Sequence, residues 1–528
     1  MALIIVAIVT IVVFMAVNVA NLESRAVRQD VQGARALYAA RAGLSMAMSN
    51  LTGLRDPDWG NPEVTMELSP GLSFRVNMVP HPNNTTPPLR SQLAWMVTST
   101  GLVGSPPAQV QRTLQAFVQQ EPFSRYAYFT DVELGQGGQV IRFVSNDAIT
   151  GPVHTNGFYT FAGHPRFSET VRSANRALPY DSNGLLQGYD PYYTPPTDPP
   201  NPQPAHYNSP GNAVTTDPAL FYHCENNGSN TVNGPVALAG STQFSMAGGQ
   251  QIVPLPIDNQ AIYSVAQETG QLISAPLPAN PGAQHYSVAP DSVVYRAEYD
   301  ENTGRMTSYT RDGSAITAQN APPVFKLTFR ADATVTGAEV YKWDPNTSSF
   351  RAWNVAAQDY SANPSAPTVI DTTAQTLYVN GTCLLEGTVS GRTTIGVRYD
   401  TGIIDNLVYR ERASDVLGIV ANQSIILESR INVVRDRSIH ATMMALNGSF
   451  YVDKYNQGSP RGILHLYGGI IQRVRGAVGT GSASTIATGY AKDYIYDDKL
   501  VFRPPLNFPT TPNVYIVSLR DQGAVGSL

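Results

Sequence analysis

Residues 1–51 read MALIIVAIVTIVVFMAVNVANLESRAVRQDVQGARALYAARAGLSMAMSNL. The first 22 carry no charge, and a run of about 20 apolar residues is long enough to cross a bilayer as one helix. A secretory signal has a basic start, a shorter apolar run and a small-residue cleavage site. Here nothing basic precedes the run, and the helical pattern continues past it. In the polar half, Leu37, Ala40, Leu44, Ala47 and Leu51 recur every three or four residues and so share one helical face. Gly33 and Gly43 each weaken the helix by about 1 kcal/mol relative to alanine, and Gly53 to Pro57 should stop it. The reading is one helix over 1–52, membrane-buried in its first half and partner-facing in its second.

The apolar stretch ALIIVAIV at 2–9, with Glu23 and Arg25 beyond it, resembles the mature N-terminus of type IV pilins and pseudopilins. Residues 36–44, ALYAARAGL, are similar to the alanine-rich signature of the large PilX- and GspK-like minor pilins, with Arg41 standing where an acid is usual. The resemblance implies assembly with other major and minor pilins and processing by a prepilin peptidase, with Met1 as the processed residue. It also implies residence in the inner membrane before assembly and at the cell surface afterwards. Major pilins carry a glutamate at the fifth mature position, which meets the N-terminal amine of a neighbour. This chain has Ile5, and pilins without that acid are associated with the filament tip. A lone carboxylate in a bilayer is expensive, so Ile5 removes a cost together with a docking contact.

Charged residues make up 14% of the chain, against roughly 25% in soluble domains, and only five residues are lysine. The net charge of -5 predicts no general affinity for nucleic acid or anionic membrane. Cys224 and Cys383 are the only cysteines, too few and too distant for a zinc cluster, and a single disulfide between them competes with two free thiols.

Beyond the helix, the runs at 64–68, 73–79, 94–103 and 109–118 alternate in the manner of strands and are separated by turn residues. Phe74, Val76 and Met78 point one way and offer a face to the helix. This gives a pilin-like sheet over 53–121. Short strands broken by Gly and Asn then open a β-solenoid-like head at 122–180. Its GPVHTNG segment at 151–157 reads as a tight turn between strands and resembles a signature of the ComZ-type competence minor pilins. A Pro-rich loop and an inserted antiparallel module, with hairpins at 293–311 and 339–354, occupy 181–365. Apolar stretches near Ile395, Leu417, Ile439 and Ile463, spaced by 22, 22 and 24, return to the solenoid-like head over 366–510. Residues 511–528 read as a C-terminal tail. The fold class is mainly β with a long N-terminal α-helix.

No phosphate loop, zinc helix or nucleophile elbow occurs, and the histidines are scattered, so no enzyme and no cofactor are expected. His154 has no second ligand at a useful spacing. Charge is uneven: residues 387–480 hold eleven bases and seven acids, a surplus of +4 that leaves -9 elsewhere. Stacked coils would align Arg430, Arg435, Arg437, Arg461, Arg473 and Arg475 into a strip able to follow phosphates. Tyr409, Tyr451 and Tyr467 would add stacking surfaces. The expected function is a tip minor pilin whose head binds extracellular double-stranded DNA for uptake. The alternatives are a tip pilin for adhesion or assembly initiation without DNA binding, and a type II secretion pseudopilin.

Overall fold

The computed structural model describes residues 2–81, 93–106, 109–135, 141–157, 159–162, 164–174, 222–225, 236–247, 250–275, 295–482 and 485–525. The Pro-rich stretch at 181–215 lies outside them, as do Met1 and the side chain of Cys224. The chain forms two compact units: one of 1–121 with 510–528, the other of 122–509.

In the first unit, a single helix, α1, runs Ala2–Leu51. Strands β1 (Val64–Ser69), β2 (Leu72–Pro80), β3 (Ala94–Val103) and β4 (Val110–Pro122) follow as an antiparallel meander. The expected helix face is the docked one: Ala40, Leu44, Ala47 and Leu51 are buried against Phe74, Val76, Trp95 and Val97. Two glycines allow close packing there, Gly101 against the helix backbone and Gly43 against side chains of the sheet. A Cβ on Gly101 would sit 1.8 Å from the Ala36 carbonyl oxygen, and one on Gly43 would sit 2.4 Å from Ser99 Oγ. The Gly43 that weakens the helix locally thus makes room for the Ser99, Phe74 and Val76 side chains of the sheet. Ser99 Oγ donates to the Ala40 carbonyl at 2.8 Å across the seam.

The C-terminal residues differ from expectation. Thr510–Val525 is a 16-residue strand that lies beside β4 at the edge of this sheet, where a tail was read. Pro512 near its start obscures the strand pattern, yet an edge position tolerates proline. Arg112 holds its far end through a 2.8 Å ion pair with Asp521.

The second unit is built mostly of parallel coils. Leu377, Ile395, Ile419, Met443 and Ile470 stand in register on successive strands. Tyr128, Val153 and Val171 continue the same row, because the strand Tyr128–Val132 pairs with Pro460–Val474. Residues from both ends of the unit therefore share one core. A second row joins Leu327, Leu385, Ile403, Leu427 and Val452. Full burial of each such side chain contributes about 1.5–3 kcal/mol, and nearly all of these are sealed from solvent.

The sequence spacing of 22 mixes rows. Ile395 pairs with Ile419 rather than Leu417, and Ile463 is 40% exposed. The in-register steps are 24 from Ile395 to Ile419, 24 to Met443 and 27 to Ile470. Both predicted hairpins form, as Tyr295–Asp300 with Arg305–Arg311 and Thr336–Asp344 with Ser349–Asn354. The neighbouring strand Val324–Ala331 also pairs in parallel with Thr382–Val389, so this module is continuous with the coil ladder. A nine-residue helix, Gln260–Glu268, was not foreseen, although Ile262, Val265 and Ala266 are buried at helical spacing.

Candidate functional site

Two surfaces were expected to carry function: the second half of α1, read as partner-facing, and the arginine stretch of the second unit. Along α1, apolar side chains are exposed from Leu3 to Val31, with Ile5 at 57% and Phe14 at 67%. From Ala36 onward one face is buried in the sheet. The helix is long and apolar enough to cross a membrane. Its first half presents apolar surface on every side, which suits lipid or the helices of neighbouring subunits.

The six arginines do not form a strip. Arg437 is 1% exposed and lies between Asp405, at 2.7 Å, and Glu301. Arg461 is fully buried and donates to the carbonyls of Asp453 and Lys454, pinning the turn between them. Arg475 is sealed against Glu133 at 2.7 Å, with its guanidinium 3.8 Å from the Phe143 ring centroid. Burial pushes the Glu133 carboxyl up, while the facing Arg475 draws it down. These three side chains reach no solvent-borne phosphate.

The other three lie nearer the surface, each with a protein partner. Arg435 donates to Asp405 at 2.6 Å, so it does share a face with Arg437, but around a carboxylate. Arg430 donates to the Glu301 carbonyl at 2.9 Å. Arg473 donates to the Leu446 carbonyl at 2.7 Å and lies 3.5 Å from Asp131. Arg473 and Arg475 thus stand opposite Asp131 and Glu133, which alternate in step with them on the paired strand.

The predicted hairpin of 295–311 completes this neutralisation, though nothing in its spacing tied it to these arginines. Besides Glu301, it supplies Arg296, which donates to Tyr451 Oη at 2.6 Å and Asp453 at 2.9 Å. Ala297 and Met306 pack with Trp343, Leu384 and Ile404 beneath it. Beside Asp453, Glu428 is raised to about 8, by burial first and then by the Asp453 charge. Asp400 is raised to about 6, again by burial first. The tyrosines are occupied too. Tyr451 holds Arg296, Tyr409 is buried, and Tyr467 lies under Arg412 and Lys499, 4.9 and 5.2 Å from its centroid.

His154 is structural. It is buried and stacked on Phe129, with Nε2 3.2 Å from Asn156 Oδ1, and desolvation lowers its pKa to about 4. Asn156 ties this segment to Asp131 and to both backbone groups of Val253. GPVHTNG therefore contains a short strand, Val153–Thr155, and a buried amide staple. Cys383 is a free, buried thiol raised far above its ordinary value by desolvation. Among the described residues, no group of His, Cys, Asp and Glu has the geometry to hold a metal ion.

Residues 90–175 match a family described as a domain of unknown function (DUF4900). No curated protein matches the chain. Among solved structures, it is similar to the crystal structure of the competence-associated pilin ComZ from Thermus thermophilus. Identity is 12% and the TM-score 0.31, over 93% of this chain and 97% of that one. At that score the likeness bears no weight in the functional reading, which rests on the chain's own helix and sheets. Those are a long apolar helix half docked on an antiparallel sheet, and a much larger β-rich unit in the same chain.

Proposed function

We propose that this protein is a large minor pilin, held in the membrane by α1 before assembly and displaying its β-rich unit at or near the tip of a type IV pilus. The observation that carries the reading is the division of α1: one half docked on its own sheet, the other wholly exposed and apolar. A helix apolar all round needs lipid or protein around it, and a filament core of packed pilin helices supplies the latter. Cysteine cross-linking tests this. Val9→Cys should give an adduct with another pilin in assembled filaments, and a cysteine on the docked face, Ala47→Cys, should not. Equal cross-linking at both positions, or none at Val9, would sink the proposal.

Capture of extracellular DNA is the finer reading. Its support is the +4 surplus over 387–480 and the exposed side chains of Arg410, Arg412, Arg430 and Arg435. Charge reversal at Arg430 and Arg435 should weaken duplex binding and flatten its salt dependence. Binding that is unchanged by reversal or by salt excludes this surface.

A further inference from the structure

The core of the second unit changes character along its length. From Leu377 to Ile470 the inward row is aliphatic and sulfur-bearing; at Tyr128 a single aromatic ring enters it, beside the buried Arg475–Glu133 pair. A cavity of about 270 Å³ opens at this transition, lined by Tyr128, Phe143, Gln472, Arg475, Lys492 and Tyr494 among others. A second, of about 260 Å³, shares Tyr455, Arg475, Gly476 and Ala477 with it.

Stability alone does not explain this lining. Arg475 with Glu133 is 3% exposed on both sides, and Lys492 pairs with the buried Asp147 at 2.7 Å. Well-packed apolar residues in place of such pairs are often as stable or more so. Tyr128 Oη, buried at the wall, makes no well-aligned hydrogen bond, although Glu133 and Gln472 lie close enough to interact with it. Charged, amide and phenolic groups have thus been kept beside a space, at a cost.

We propose that this cavity binds the pyranose ring of a neutral sugar. Guanidinium, ammonium, phenol and carboxylate groups line it together with the rings of Tyr455, Tyr490 and Tyr494, Phe143 being already covered by Arg475. Ring hydroxyls suit the first set and the C–H face of a sugar suits the second. Arg475 and Lys492 already face their own carboxylates, so an anionic ligand would find no spare charge at these two. The volume lies just below the roughly 300–1,000 Å³ of drug-sized ligand sites, which limits the occupant to about one ring per cavity.

The test is saturation-transfer NMR titration of glucose, galactose and N-acetylglucosamine, with glucuronate as the charged comparison. The full chain is held in a zwitterionic detergent, so that no sugar headgroup competes. At least one neutral sugar should bind saturably with a Kd on the order of 1 mM, and glucuronate no more tightly. Tyr455→Ala should weaken binding roughly fivefold by removing a ring. Ala477→Phe, which fills the space, should abolish it at unchanged melting temperature; if that variant does not fold, Tyr455→Ala decides. The proposal is overturned if no neutral sugar binds at about twenty times that concentration. It is equally overturned if glucuronate binds best, or if folded variants bind as the parent does.

Discussion

Replacing Gly101 by alanine should lift α1 off its sheet. The added Cβ would lie 1.8 Å from the Ala36 carbonyl oxygen, 2.6 Å from the Ala40 nitrogen and 2.8 Å from the Ala36 carbonyl carbon. All three are backbone atoms, so no rotamer change relieves the clash. Ordinary contact begins at 3.4 Å, and 3.4 minus 1.8 leaves 1.6 Å for the helix to retreat. That retreat stretches the 2.8 Å bond from Ser99 to Ala40 and loosens the packing of Ala40, Leu44 and Ala47. Overpacking costs about 1–3 kcal/mol and the lost hydrogen bond about 1 kcal/mol. A total of about 3 kcal/mol corresponds to roughly a hundredfold loss of amide protection. Hydrogen exchange on the full chain should show it over residues 36–51 and 94–103. Gly71→Ala is the control: open space surrounds its Cβ, and only its φ of +73° is strained, for a local cost of about 1 kcal/mol. Protection over 36–51 within about threefold of the parent in Gly101→Ala would refute close backbone docking.

Arg475→Met alone should destabilise the second unit by about 3 kcal/mol, because Glu133 is then buried without its partner. Adding Glu133→Leu should recover much of that loss in a thermal melt, and strict additivity would contradict the pairing. Glu301→Gln removes one of the two carboxylates around the buried Arg437, so protection over 295–311 should drop by about 2 kcal/mol; no change there would mean the hairpin is held by its apolar face alone. Glu428→Gln should act with pH. The folded carboxyl titrates near 8 against an ordinary value of 4.5, so its protonated form is favoured and the stability tied to it is full below about 4.5 and lost as pH rises through about 8. The variant should match the parent near pH 4 and melt several degrees higher near pH 9; a pH-independent difference would contradict the burial.

Much of the first unit was legible because its signals are periodic. The 3-and-4 spacing through Leu51 located the docked face, and alternation of Phe74, Val76 and Met78 located the facing sheet. The C-terminal strand was missed because membership of a sheet is a non-local fact, and nothing within 510–525 points to β4. In the second unit short apolar runs announced coils, but loops of unequal length between strands broke the fixed period. The arginines misled for a related reason. Spacing two apart places side chains on one face and does not say whether that face looks outward. Arg437 and Arg475 look into the protein because Glu301 and Glu133, 136 and 342 residues away, wait there. Low lysine content was the one hint, since arginine with its fixed fork is the cation suited to buried pairs.

The most direct test is where the protein resides once pili are assembled. Filaments sheared from cells and separated from membranes should carry this chain as a minor component relative to the major pilin. Immunogold against the 122–509 unit should label filament ends. Deleting residues 2–30 should remove the chain from that fraction while the second unit still melts as in the parent. Recovery of the intact chain wholly in the membrane fraction, from cells whose pili are abundant, would contradict the account.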